Sequence, residues 1–118
     1  MKFDNTLLLN GADASADIAS SPITLESIYV FAVQAVFTGS PVGTIKLQVS
    51  CDPGRTTSNA YGTDVANWSD LAGMSASISA AGLVMFNVTD AGYKWVRVVY
   101  TAASGIGGLT VRFNAKGV

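Results

Sequence analysis

An all-β fold, a two-sheet antiparallel sandwich of jelly-roll-like connection, is what this sequence predicts. Three observations carry the prediction. Apolar and polar residues alternate at period two in several short runs. No long window repeats at helical spacing. Turn signals rich in Gly, Pro, Asp and Ser recur at Ser20-Ser21-Pro22, Gly39-Ser40-Pro41, Asp52-Pro53-Gly54, Ala81-Gly82 and Asp90-Ala91-Gly92, the spacing of short strands in a sandwich. At 118 residues the chain is expected to form one sandwich domain over 1–118, with Met1 to Ser21 as an extended N-terminal arm or an edge strand.

Taken in order, strands are expected at Lys2 to Leu9 and Ala16 to Ala19. Ile28 to Phe37 follows, and it differs from the rest because both of its alternating sets are apolar. Tyr29, Phe31, Val33, Ala35 and Phe37 stand on one side; Ile28, Val30, Ala32 and Val36 stand on the other, with only Gln34 polar. Such a strand wants cover on both faces. The cover is either the N-terminal strand and a loop of the same chain or a subunit interface. Thr44 to Ser50 alternates cleanly, with Ile45, Leu47 and Val49 inward and Lys46, Gln48 and Ser50 outward.

A long irregular stretch runs from Cys51 to about Asn67, and long loops in compact domains are usually functional. Strands at Ser75 to Ser79 and Leu83 to Val88 come next. The runs Trp95 to Thr101 and Leu109 to Phe113 are expected to pair as a hairpin turning at Ala103-Ser104-Gly105-Ile106. That hairpin would set Val96 opposite Phe113, Val98 opposite Val111 and Tyr100 opposite Leu109, with every apolar partner on one side. It would also set Arg97 opposite Arg112 on the other side, either as two solvated cations or as a contact for an acidic partner.

Composition excludes several classes of function. Seven Lys and Arg against eight Asp and Glu give a net charge of −1, and charged residues make up 13% of the chain. Direct nucleic-acid binding relies on a basic excess, and membrane-surface binding on a basic amphipathic helix; neither is present. With 49% hydrophobic residues the chain has enough apolar surface to fold. The first ten residues lack a signal-peptide core and no run reaches the length of a membrane span, so a soluble protein made in a cytoplasm is expected.

The residue types that carry chemistry are sparse. Histidine is absent and Cys51 is the one cysteine, which removes the commonest acid/base group and any intrachain disulfide. One glutamate, Glu26, and aspartates at the turn-like positions Asp13, Asp52, Asp64, Asp70 and Asp90 give no obvious carboxylate pair for glycoside hydrolysis. Asp52, Asn59, Asp64 and Asp70 lack the dense spacing of a calcium loop. Gly105-Ile106-Gly107-Gly108 has no phosphate-loop lysine. No enzyme activity, metal or cofactor is expected. Trp68, Tyr61 and Tyr29 could stack on sugar rings, although a tryptophan in Asn67-Trp68-Ser69-Asp70-Leu71 can equally anchor a strand end.

Several strings together resemble small structural proteins of tailed bacteriophages. They are Leu47-Gln48-Val49-Ser50, Asn67-Trp68-Ser69-Asp70-Leu71, the run from Asn87 to Tyr100 and the closing Leu109 to Gly117. That group includes the β-sandwich head decoration, or cement, proteins; similar strings also occur in phage tail and fibre modules and in discoidin-like sugar-binding sandwiches. The resemblance covers about residues 28 to 117 and maps no binding residue. It implies a virion protein on the capsid surface, made in the host cytoplasm, often a dimer or trimer, whose partner is the major capsid protein and whose many weak contacts add by avidity. A receptor- or carbohydrate-binding module of a tail or fibre is the alternative. The expected partner contacts are Arg97, Arg112, Arg55, Tyr61 and Trp68.

Overall fold

The computed structural model describes residues 2–52, 67–89 and 91–117, which form seven strands and no helix. They are β1 (Lys2–Asp13), β2 (Ile18–Ala19), β3 (Ile23–Thr24), β4 (Ile28–Ser50), β5 (Ser69–Ile78), β6 (Gly82–Val88) and β7 (Trp95–Gly117). All pairings are antiparallel.

Two strands of 23 residues organise everything else. β4 and β7 pair along their whole length, from Ile28 opposite Gly117 to Ser50 opposite Trp95. Laid flat, such a ribbon would be about 75 Å long at the usual rise per residue. The longest dimension of the molecule is 40 Å. The ribbon is therefore folded over near its middle, and its two halves become the two layers of a sandwich. Layer I runs β1, the C-terminal half of β7, the N-terminal half of β4, then β6. Layer II runs β2 and β3, the N-terminal half of β7, the C-terminal half of β4, then β5. With each long strand counted as two, this is the strand order of a jelly roll.

The predicted hairpin at Ala103 to Ile106 does not form. Val96, Val98 and Tyr100 pair with Val49, Leu47 and Ile45, whereas Leu109, Val111 and Phe113 pair with Phe37, Ala35 and Val33. The small residues that read as a reversal build a corner instead, because 38–43 of β4 runs alongside them and bends with them. Gly39-Ser40-Pro41, read as a turn between separate strands, is likewise inside β4. Two glycines make the corner possible. A Cβ on Gly107 would lie 2.0 Å from the Thr38 carbonyl oxygen. Gly105, at φ +80°, would place one 2.1 Å from the Ser40 carbonyl.

The corner also resets the pleat. Val42 faces Ser104 but Gly43 faces Ala102, so Ala103 is an extra residue in β7. Before it the residues of β7 that join the core are even-numbered, Val96, Val98 and Tyr100, with Trp95 buried outside that cluster at the start of the strand; after it they are odd, Leu109, Val111, Phe113 and Ala115. β4 keeps Phe31, Val33, Ala35, Phe37, Ile45, Leu47 and Val49 inward throughout. One core results, with Phe37 against Tyr100 across the layers at 5.3 Å between ring centroids and Phe31 against Phe113 at 5.4 Å within layer I. The Tyr100 hydroxyl is buried beside Gly43 with no hydrogen-bond partner among the described residues, and burial raises its pKa.

β1 is the edge strand of layer I and lies beside β7 rather than over β4. Of the second apolar set of Ile28 to Phe37, Val30, Ala32 and Val36 are thus not covered by the N-terminal strand; Ile28, expected among them, is buried in the core and Tyr29, expected beside Phe31, is half exposed, because the register shifts between Ile28 and Val30. At the edge of layer II, Ser20 bridges the gap between β2 and β3. Its N–H donates to the Val98 carbonyl and its hydroxyl accepts from the Val98 N–H, both at 2.9 Å.

Candidate functional site

Folding the ribbon gives the molecule two outer faces that point away from each other, and this separates the two arginines expected to share a face. Arg97 stands opposite Gln48 on layer II; Arg112 stands opposite Gln34 on layer I. Arg55 and Tyr61 lie outside the described residues. Trp68 immediately precedes β5 and belongs with Arg97.

On the outer face of layer II the polar side chains satisfy one another. The Arg97 Nε and Nη2 groups donate to the Gln48 Oε1 at 2.9 and 2.7 Å. The Gln48 amide nitrogen donates to Asp70 Oδ1 at 2.9 Å, and Lys46 Nζ donates to Asp70 Oδ2 at 3.1 Å. The Arg97 guanidinium lies 4.4 Å from the centre of the Trp68 ring. Partial burial lowers the Arg97 pKa. The hydrogen bond from Gln48, then that from Lys46, holds the Asp70 carboxyl below its ordinary range. Asp70 was read as a turn residue; it is in β5, where the pairing of Gln48 with Asp70 brings it into this chain of contacts.

Beside this network, residues 52 and 67 are clamped together. Asp52 accepts from the Asn67 N–H at 2.9 Å and from its side-chain amide at 3.1 Å, while the Trp95 indole N–H donates to the Asp52 carbonyl at 3.0 Å. Asp13, also expected in a turn, is the last residue of β1 and holds the turn that follows, its carboxylate accepting from the N–H and hydroxyl of Ser15. Asp64, Asn59 and Asp90 lie outside the described residues.

The outer face of layer I is built differently. Cross-strand rows place Leu83 beside Val36 and Thr110; Met85 beside Gln34, Arg112 and Leu7; Asn87 beside Ala32, Asn114 and Asn5; and Val30 beside Lys116. Leu83 is 60% exposed and Met85 52%, the values of side chains with nothing over them. Two shallow depressions of about 210 and about 250 Å³ adjoin here, sharing Ala32 and Asn114. Sequence reasoning marked the second apolar set of β4 but missed Leu83 and Met85. Their alternation with Val84 and Phe86 was the available signal.

Among the described residues, no three Cys, Asp or Glu side chains come together in a way that could hold a metal ion. Cys51 is exposed.

No protein-family model matches the chain. No curated protein matches it either. Among solved structures, the chain is similar in fold to the SPBc2 prophage-derived protein YomS, with a TM-score of 0.57 and 17% identity over 98% of this chain and 95% of that one. It is also matched, at a TM-score of 0.45 and 17% identity, to chitosan-binding module 1 from a chitosanase/glucanase of Paenibacillus sp. IK-5, over 98% and 94% of the two chains. At these identities the likeness to YomS concerns the fold, and the weaker match says nothing of a ligand.

Proposed function

We propose that this chain is a non-enzymatic structural protein of a phage virion, a decoration protein that binds the major capsid protein and stabilises the head. The observation that carries the reading is the end-to-end likeness of its fold to a prophage-derived protein, in a chain whose strings already resemble decoration proteins. The fold suits the role. A decoration protein needs a rigid body and an open face rather than a cleft, and many weak copies of one contact resist pressure by avidity. Its place would be the capsid surface, after synthesis in the host cytoplasm.

The test is the copy number of this chain in purified virions, measured by quantitative mass spectrometry against the major capsid protein. Copies comparable to the capsid protein are expected. A few copies per particle would move the chain to the tail, and absence from the particle would end the virion reading.

A second reading, a glycan-binding module of a tail or fibre, is favoured by one feature: Trp68 set among Arg97, Gln48 and Asp70, a ring beside polar groups. A glycan array with Trp68→Ala as the control distinguishes the two, since a decoration protein gives no sugar-dependent signal.

A further inference from the structure

We infer that the outer face of layer I docks onto another protein whose matching surface is apolar at its centre and carries carboxylates at its rim. The inference rests on the virion reading only for the identity of the surface offered in the test. Three properties of the face support it. First, its apolar side chains are contiguous: Val36 and Leu83 are neighbours across β4 and β6, Met85 follows two residues along, and Ala32 and Val30 continue the row on β4. A sheet face of this kind gains by exclusion of water, and nothing among the described residues excludes it.

Second, its cations are unmatched. Arg112 and Lys116 stand beside that row, and neither has a hydrogen-bond or ionic partner among the described residues. The contrast is within the molecule: Lys46 is paired with Asp70 and Lys94 with Glu26, and Arg97 is held by Gln48. Third, no carboxylate stands beside these cations in the described register: the polar neighbours there are Asn5, Gln34, Asn87, Thr110 and Asn114, and the carboxylate farther along this face, Asp13 opposite Gly108, already accepts from Ser15. Among the described residues, a second copy docking by a two-fold axis would bring its own Arg112 and Lys116 to the same patch with no acid beside them. A partner with carboxylates around an apolar centre satisfies both halves of the face at once.

The experiment uses the full chain and three exposed-face variants, Leu83→Glu, Met85→Glu and Arg112→Glu, with Thr101→Glu on the outer face of layer II as the control. Each is first shown by thermal melting to fold as the wild type does. Binding is then measured by cosedimentation with purified heads and, separately, purified tails from particles lacking this chain, at low and high salt. The expected result is binding to heads, weakened about 30-fold or more by each layer I variant and unchanged by Thr101→Glu. Wild-type affinity should fall as salt rises, and this dependence should shrink in Arg112→Ala.

Head binding that survives all three layer I substitutions overturns the docking face and leaves the decoration reading standing. Binding to tails alone, lost with the same substitutions, overturns the decoration reading and leaves the face standing; binding to neither overturns both. Salt-independent binding overturns the carboxylate rim. Dimerisation in analytical ultracentrifugation that Met85→Glu abolishes overturns the choice of partner, because the face would then be occupied by a second copy.

Discussion

The two outer faces of this sandwich are made from the same two strands, yet one is closed and the other open. On layer II the outward residues of β4 and β7, Lys46, Gln48 and Arg97, find Asp70 and Trp68 on or beside β5 and spend their polarity inside the molecule. On layer I the outward residues of β4 are Val30, Ala32, Gln34 and Val36, those of β7 include Arg112, Asn114 and Lys116, and β6 adds Leu83 and Met85 rather than a carboxylate. The difference comes from the flanking strands. A continuous ribbon supplies the core of both layers, and the short strands laid beside each half decide what that half presents to its surroundings. A rigid shared core with one unsatisfied face is what a protein that works by contact requires.

The largest expected effect tests whether the layers are one unit at all. Phe113 is fully buried in layer I, and Phe113→Ala should cost about 4 kcal/mol. Trp95 lies in layer II and Trp68 beside it, so tryptophan fluorescence reports that layer while far-UV circular dichroism reports both. Urea unfolding of the variant should give coincident transitions by the two probes. Separate transitions would mean that the layers fold apart and that the comparison is between two modules.

Next in size is the corner that joins them. Gly107→Ala forces a methyl group against the Thr38 carbonyl and should destabilise by about 3 kcal/mol. Gly82→Ala, where a Cβ would meet nothing within 4 Å, is the matched control and should change stability by less than about 0.5 kcal/mol. Equal losses in the two variants would show that the corner is not under steric constraint.

The smallest effect sharpens the closed face. Because Gln48 and Lys46 lower the pKa of Asp70 in the folded protein, its contribution is present above the ordinary carboxylate pKa and is lost as pH falls through the lowered one. Melting temperatures taken between about pH 6 and about pH 2 should therefore fall slightly more steeply for the wild type than for Asp70→Asn. Identical slopes would mean that the network adds nothing to stability, as exposed ion pairs often do not.

Much of this was legible before any coordinates. The inward residues Phe31, Val33, Ala35 and Phe37 of β4, the alternation of Thr44 to Val49 and the pairing potential of Val96, Val98, Tyr100, Leu109, Val111 and Phe113 all follow from period-two patterning, which depends only on a strand having one buried side. The error lay in the partner. Val96 fits Phe113 across a hairpin as well as it fits Val49 across a folded ribbon, since any apolar residue satisfies any other. Local sequence cannot separate a reversal from a corner when both use Gly and Ser. The candidate contacts divided for the same reason: Arg97 and Trp68 come together, and Arg112 is carried to the opposite face.

What the sequence determined by itself is the all-β class, most inward residues of the long strands and the outer apolar residues Val30, Ala32 and Val36, because these are consequences of alternation within single segments; Ile28, Tyr29 and Ser50, at the strand ends, depart from it. The tertiary structure alone decided that β4 and β7 run unbroken through both layers, that Ala103 shifts the pleat, that Asp70 reaches Gln48 and that the face bearing Arg112 stays open. Each of those depends on which segment lies beside which, and that choice is made by the fit of the whole core rather than by any stretch of chain within it.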